Sequence, residues 1–287
     1  MRRRNWVPVI LFALLLTACS STTFVYNRLD FFIPWYVGKY VDLDRAQEEQ
    51  LDALLVPFLQ WHRQDELPAY SNWLATVREG LKAPLDVAQL RAWGEQTQAA
   101  WDRVELRGLD WMIAIGENLS DAQVAAFIAE LRETQAEYED EDLSRDNDQY
   151  REEARENLED QLEDFLGQIN DAQESMLDSA VAQLWRADRT WLAERARWLD
   201  RLEQILQRQP GWQEELRRAV IERESFNSAE YLATYEHNST VLYAVIAEVI
   251  NSRSERQDRH LQRKLDGLQR DLARLAAPAG EPGAAGS

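Results

Sequence analysis

Apolar residues recur at three- and four-residue steps through almost all of residues 24–276, where glycine and proline are sparse. That period belongs to helices packed on one side. No alternating β-branched run bounded by Asn-Gly or Asp-Gly interrupts it, so the pattern predicts an all-α chain. A short motif marks where helices begin: an apolar residue, then Asp, Ser or Asn, two residues, then Gln or Glu. It stands as Leu43-Asp44-Arg45-Ala46-Gln47, Leu85-Asp86-Val87-Ala88-Gln89 and Leu119-Ser120-Asp121-Ala122-Gln123, with looser copies at Ile169-Asn170-Asp171-Ala172-Gln173 and Phe226-Asn227-Ser228-Ala229-Glu230. Each copy has the form of an N-capping box, in which the cap side chain accepts from the N3 amide and the N3 side chain returns to the cap. Three copies complete a hydrophobic staple: Leu85 with Leu90, Leu119 with Val124, and Phe226 with Tyr231. The spacing of the starts is too uneven for a solenoid.

Between these starts the pattern predicts a single antiparallel bundle of roughly seven to nine helices. Residues 26–40 form a short aromatic helix interrupted by Pro34, and residues 45–64 a helix bent at Pro57, whose ring denies the Ala53 carbonyl a partner. Pro68 suits the first turn of a helix reaching about residue 81, which Pro84 ends. Helices over 87–117, 121–139 and 149–167 follow. Residues 171–208 carry two parallel seven-step series, Leu177-Leu184-Trp191-Trp198-Ile205 and Trp185-Leu192-Leu199-Leu206, which predict one long helix with a broad buried stripe. Pro210-Gly211 stops it. A last helix is predicted from about residue 228 to 275, ending in Leu261, Leu265, Leu268, Leu272 and Leu275 at four-three steps. Residues 277–287, rich in Gly, Pro and Ala, read as a disordered tail.

The N-terminus has another character. Arg2, Arg3 and Arg4 precede an apolar run over residues 7–16, and Leu16-Thr17-Ala18-Cys19 follows. A positive start, a run too short to span a bilayer and small residues at the cut are the parts of a secretory signal. The four residues resemble a bacterial lipobox, which implies cleavage before Cys19, a thioether-linked diacylglycerol there, and a further acyl chain such as palmitate on the new amino terminus. The chain then divides into a signal peptide (1–18), a lipidated tether (19–23), a helical domain (24–276) and the tail. Two or more acyl chains anchor a protein securely. Ser20 after the cysteine, by resemblance to enteric sorting, implies the periplasmic face of the outer membrane.

Composition narrows the function. The chain carries 32 Lys+Arg against 51 Asp+Glu, and losing the three signal arginines makes the mature charge near −22. That excludes a nucleic-acid partner and disfavours adsorption of the body onto anionic lipid. Cys19 is the only cysteine, so once acylated it leaves no thiol for a disulfide, a thiolate metal site or a nucleophile.

The start of the mature chain carries a resemblance. Phe24-Val25-Tyr26-Asn27, Ile33-Pro34-Trp35-Tyr36-Val37, Tyr40, Trp61-His62-Arg63, Glu66-Leu67-Pro68 and Tyr70, with the repeated cap boxes, resemble an uncharacterised family of proteobacterial lipoproteins. The resemblance implies a helical, membrane-anchored protein with no assigned activity. The Leu-polar-x-x-Gln boxes are also similar to the Leu-Thr-x-x-Gln repeats of small helical periplasmic stress chaperones.

Candidate chemistry is thin. His62, His237 and His260 are the only histidines, and none has a glutamate three residues before it, so the di-iron motif of carboxylate bundles is absent. His-Glu-x-x-His, Gly-x-Ser-x-Gly, a P-loop and a dinucleotide fingerprint are absent too. His62 and Glu66 stand four apart with Tyr70 near, which reads either as a histidine at a helix C-terminus meeting a carboxylate or as a small site. Residues 137–164 hold fourteen acidic residues, but an EF-hand counted from Asp140 puts Arg145 at the glycine and Arg151 at the glutamate position. Residues 252–276 are opposite in sign, which places that helix near the acidic segment. The seven aromatics of residues 24–40 fit either core packing, the favoured expectation, or the headgroup level of a bilayer.

These features predict a non-enzymatic outer-membrane lipoprotein without cofactor or metal. It would contact the bilayer through Cys19 and bind an exported protein or an envelope complex through surfaces that include Trp35, Tyr36, His62, Glu66, Tyr70, Leu261, Leu265 and Leu268. The alternatives are an enzyme with a site around His62, Glu66 and Tyr70, and a structural subunit of an envelope complex. A deep polar pocket would favour the enzyme; a long apolar groove with an acidic rim would favour the binder.

Overall fold

Hydrogen-bonded helices account for nearly the whole of residues 21–277, the part of the chain that the computed structural model describes, and no strand occurs among them. Cys19, the expected signal peptide and the expected tail beyond Ala277 lie outside the described residues. The order is α1 (Ser21–Tyr26), α2 (Leu29–Val37), α3 (Arg45–Trp61), a π-helical turn (His62–Glu66), α4 (Leu67–Gly80), α5 (Val87–Gly116), α6 (Asp121–Ser144), α7 (Asn147–Leu166), α8 (Asp171–Val181), α9 (Asp188–Ile205), α10 (Trp212–Ile221), a 3-10 turn (Arg223–Phe226), α11 (Ala229–Asn251) and α12 (Glu255–Ala276). The expected all-α bundle is present, with more and shorter helices than the pattern predicted.

The additional breaks have tertiary causes. The predicted helix over 171–208 is two, because the Asn238 amide captures the backbone of Trp185 on both sides: Oδ1 accepts from its N–H at 2.9 Å and Nδ2 donates to its carbonyl at 2.8 Å. Asn251 does the same to Leu85, at 2.8 Å each way, at the end of α11. The predicted 228–275 helix therefore breaks at residues 252–254, and Ser254 with Gln257 opens α12 as a capping box. The cap of α11 is Ser228, one residue later than the Asn227 motif suggested, with Glu194 accepting from the Ser228 N–H at 2.9 Å. Gly211, at φ +91°, turns the chain into α10, a helix the pattern did not reveal.

Neither Pro34 nor Pro57 breaks its helix; the chain breaks instead at residues 27–28. The carbonyl that Pro34 leaves without its helical partner belongs to Asp30, which is exposed. Nor does the helical path stop between α3 and Pro68. It widens into the π turn, in which the Leu67 N–H reaches the His62 carbonyl. A wider turn spares the Pro68 ring its clash with the carbonyl of Gln64.

The buried side chains form separate clusters. The largest joins α4, the start of α5, α7, α8, α11 and α12 around Leu177 and Val249. A smaller one joins Leu109 and Ile113 of α5 to Ile205 and the inner face of α10. The two seven-step series therefore do not make one stripe: Leu177 and Leu184 belong to the first cluster and Ile205 to the second, while Trp185 is half exposed, stacked on His237 at 4.1 Å. The 30-residue α5 reaches from one cluster to the other, and its middle belongs to neither.

Leu261, Leu265 and Leu268 are core, each no more than 5% exposed, so they form no outer interaction surface. They pack toward α7, whose Leu158, Leu162 and Leu166 belong to the same cluster. The basic helix does lie against the acidic segment, and Lys264 pairs with Asp164 at 2.6 Å. The contact is apolar at its centre, which salt does not dissolve.

The aromatic N-terminus departs from the favoured core expectation. Tyr26 is buried, but Phe24, Phe31, Trp35 and Tyr36 are exposed, with Lys39 Nζ 3.9 Å above the Trp35 ring. Truncation costs stability only where it removes buried contacts. Trp35→Ala should accordingly move the melting temperature by less than about 2 °C, whereas Tyr26→Ala should cost about 2 kcal/mol. Equal shifts in a thermal melt would contradict this placement.

The capping-box glutamines serve twice. Gln47 and Gln123, at the starts of α3 and α6, exchange side-chain amide hydrogen bonds of 3.1 and 2.7 Å. Gln173 and Gln257, at the starts of α8 and α12, do likewise at 3.4 and 2.8 Å. Two helix starts are thus clasped to two others.

Candidate functional site

The middle of α5 faces a cavity. Residues of α5 between 96 and 105 form one wall, and Tyr26, α2, the end of α3, the π turn with α4, α9, the Arg223–Phe226 turn, the start of α11 and the end of α12 form the rest. Its volume is about 1080 Å³. That is at the upper end of ligand pockets, which run from roughly 300 to 1,000 Å³. The walls are mostly aromatic and aliphatic: Phe58, Trp101, Trp191, Trp198 and Tyr231 face Leu29, Ile33 and Leu268. Trp191 and Trp198 of the first seven-step series therefore line an open space, Trp198 also packing against the smaller cluster.

His62, Tyr70 and Glu66 do come together in the wall of this cavity, but not as their spacing suggested. Glu66 is 3% exposed and its carboxylate is held by Arg103, which donates from Nε and Nη2 at 2.8 Å each. His62 is instead bracketed by two phenols: Tyr26 Oη lies 2.9 Å from Nδ1 and Tyr70 Oη 3.4 Å from Nε2. Tyr70 also hydrogen-bonds Glu66. A carboxylate only accepts, so Tyr70 donates to it, receives from His62 Nε2–H, and leaves Nδ1 to accept from Tyr26. The result is a continuous relay, Tyr26–His62–Tyr70–Glu66–Arg103. The expected meeting of histidine and carboxylate at a helix end is replaced by this arrangement, because the helix does not end there.

Burial sets the protonation of the relay. It lowers His62 to about 4, against the raising pull of Glu66, so the imidazole is neutral at pH 7. It raises Tyr26 to about 12, and burial together with Glu66 raises Tyr70 further. With both ring nitrogens of His62 occupied, the relay is a hydrogen-bonded polar patch in an apolar wall. It also has a pH signature. Below pH 6.5 the unfolded chain takes up a proton at His62 that the folded chain refuses until about pH 4. This contribution is complete above pH 6.5 and is lost as the pH falls toward 4, by at most about 3 kcal/mol. His62→Gln should melt with a shallower fall between pH 7 and 5 than the natural chain; identical slopes would refute a buried neutral imidazole.

The other charged groups on the cavity are mostly paired. Arg223 meets Glu105 at 2.6 Å, Asp271 meets Arg274, and Glu194 holds Ser228 and Arg197. Arg195 is held differently, by the amide oxygen of Gln135 and over the ring of Tyr138 at 4.9 Å. Of the predicted surface residues, Trp35 and Tyr36 lie on the outer side of α2, away from the cavity. His237 and His260 stand elsewhere, against Trp185 and Gly167. Sequence reasoning missed Tyr26, Arg103, Arg195 and the aromatic wall. Their periodicity carried only the message of a helix with a buried side.

Among the described residues no group of His, Cys, Asp and Glu is arranged to hold a metal, and no helix is long and apolar enough to cross a membrane. A family model described as a family of unknown function (DUF6279) matches residues 39–232. No curated protein and no solved structure gives a match.

Proposed function

Because the chain belongs to this family of unknown function, its geometry has to supply a role, and we propose a lipid-anchored binding protein that holds an apolar ligand in the central cavity. The observation that carries the proposal is the cavity: large, walled by aromatic and aliphatic side chains, with its polar groups largely satisfied by one another. Apolar surface of that extent is costly to leave facing water and is favourable to cover. The buried leucine seam speaks against a holder of unfolded chains on that face, and the neutral, doubly hydrogen-bonded His62 speaks for a wall group rather than a catalyst. The lipobox at Cys19 supports anchoring, and Ser20 supports the periplasmic side of the outer membrane. In that setting the exposed Phe24, Phe31 and Trp35, all within 16 residues of Cys19, are suited to the headgroup level.

The test is saturable uptake of a neutral fluorescent probe, N-phenyl-1-naphthylamine, quenching the cavity tryptophans. Ala100 lines the cavity, and Ala100→Trp places an indole inside it. Binding at one site, weakened about tenfold or more by Ala100→Trp, is expected. Binding that does not saturate, or that ignores the filled cavity, would sink the proposal.

A further inference from the structure

The cavity carries three arginines, and they are not equivalent. Arg103 forks onto Glu66 and Arg223 pairs with Glu105. Arg195 on α9 is half-buried and lines the same cavity, yet among the described residues it has no ion-pair partner. Its one side-chain hydrogen bond goes from Nη1 to the neutral Gln135 amide, whose own Nε2 is committed to Glu139 at 2.7 Å and to the Leu192 carbonyl at 3.2 Å. Glu139 lies within electrostatic reach but forms no ion pair with it, and burial works against the charged form of Arg195, whereas the Glu66 hydrogen bond outweighs burial at Arg103. A guanidinium has five N–H donors in a planar fork. Among the described residues only Gln135 takes a hydrogen bond from that fork, and Arg195 is part of the cavity lining. The one exposed carboxylate of the lining, Glu224, makes no ion pair among the described residues.

From this juxtaposition of an apolar cavity with a half-buried cation that lacks a counter-charge, we infer that the ligand is a single-chain amphiphile with a carboxylate head, a long-chain fatty acid, whose head pairs with Arg195. A carboxylate matches one guanidinium in charge and in two-point geometry. A phosphate monoester would bring a second charge that the paired arginines are not free to meet. The aromatic walls take the alkyl chain, and Arg195 is the cation of the lining without an ion pair among the described residues.

The inference rests on the proposed binding role, and the test separates the two. The full chain is held in phosphatidylcholine nanodiscs, with empty nanodiscs as the blank, and titrated with cis-parinaric acid and with its methyl ester. Energy transfer from the cavity tryptophans reports occupancy. The acid is expected to bind about tenfold more tightly than the ester. Arg195→Gln should erase that preference while leaving ester affinity unchanged, and Arg195→Lys should retain most of it; a melting curve for each variant establishes that the fold is intact. Ester and acid binding equally well to the natural chain, or a preference that survives Arg195→Gln, would overturn the carboxylate assignment and leave the cavity role standing. Binding of neither would overturn both.

Discussion

Arg103→Met is expected to lower the free energy of unfolding by about 3 kcal/mol, and Glu66→Gln by only about 1 to 2 kcal/mol. The asymmetry comes from where each partner sits. The Glu66 side chain is 5% exposed and that of Arg103 is 48% exposed. Removing the arginine strands a carboxylate inside the wall with only the Tyr70 hydroxyl to serve it, whereas neutralising the glutamate leaves a guanidinium that water reaches. Desolvating a charge that has lost its partner is what makes buried pairs costly to break from one side. Urea denaturation of both variants at pH 7 measures the difference. Equal costs, or a loss below about 1 kcal/mol for Arg103→Met, would mean that the carboxylate finds water and that the wall is looser than described.

Gln173→Leu is expected to cost about 3 kcal/mol, although leucine is close to glutamine in size. Gln173 is fully buried. Its oxygen accepts from the Asn170 N–H at 3.1 Å and from Gln257 Nε2 at 2.8 Å. Its nitrogen donates to the Val249 carbonyl at 3.3 Å and to Ser252 Oγ at 3.2 Å. A leucine leaves these groups without their partner in the core. Gln149 provides the control, because it closes the same kind of box on Asp146 but is exposed. Gln149→Leu should cost no more than about 1 kcal/mol. Similar losses for the two in denaturant titrations would show that capping alone, and not the cross-helix bond, accounts for Gln173.

How much of this was legible in the sequence follows from the range of each interaction. Helix starts at Asp44, Ser120 and Asn170 were readable because a capping box is complete within four residues. The all-α bundle and the meeting of the basic and acidic helices were readable from period and charge. The breaks at residues 182–187 and 252–254 were not, because no glycine or proline marks them; Asn238 and Asn251 fix the neighbouring peptides from other parts of the chain. Exposure of the aromatic helix was not readable either, since hydrophobic composition does not say which ring finds a partner. At the candidate site, His62, Glu66 and Tyr70 were within reach of a local argument. Arg103 lies 37 residues from Glu66, and Tyr26 lies 36 from His62. The cavity itself was invisible, because side chains lining a void and side chains filling a core share one periodicity.

The glutamine clasps also bear on the order of events as the chain folds. A capping box needs only neighbours in sequence, so it can form as soon as its helix does. The clasp formed by the same side chain closes an interval of 76 residues between Gln47 and Gln123, or 84 between Gln173 and Gln257. Closing such intervals carries an entropy cost that the intervening helices must first offset by docking. Each of these glutamines is therefore engaged early by its own helix and late by a distant one, and the second engagement records that the helices between have found their places.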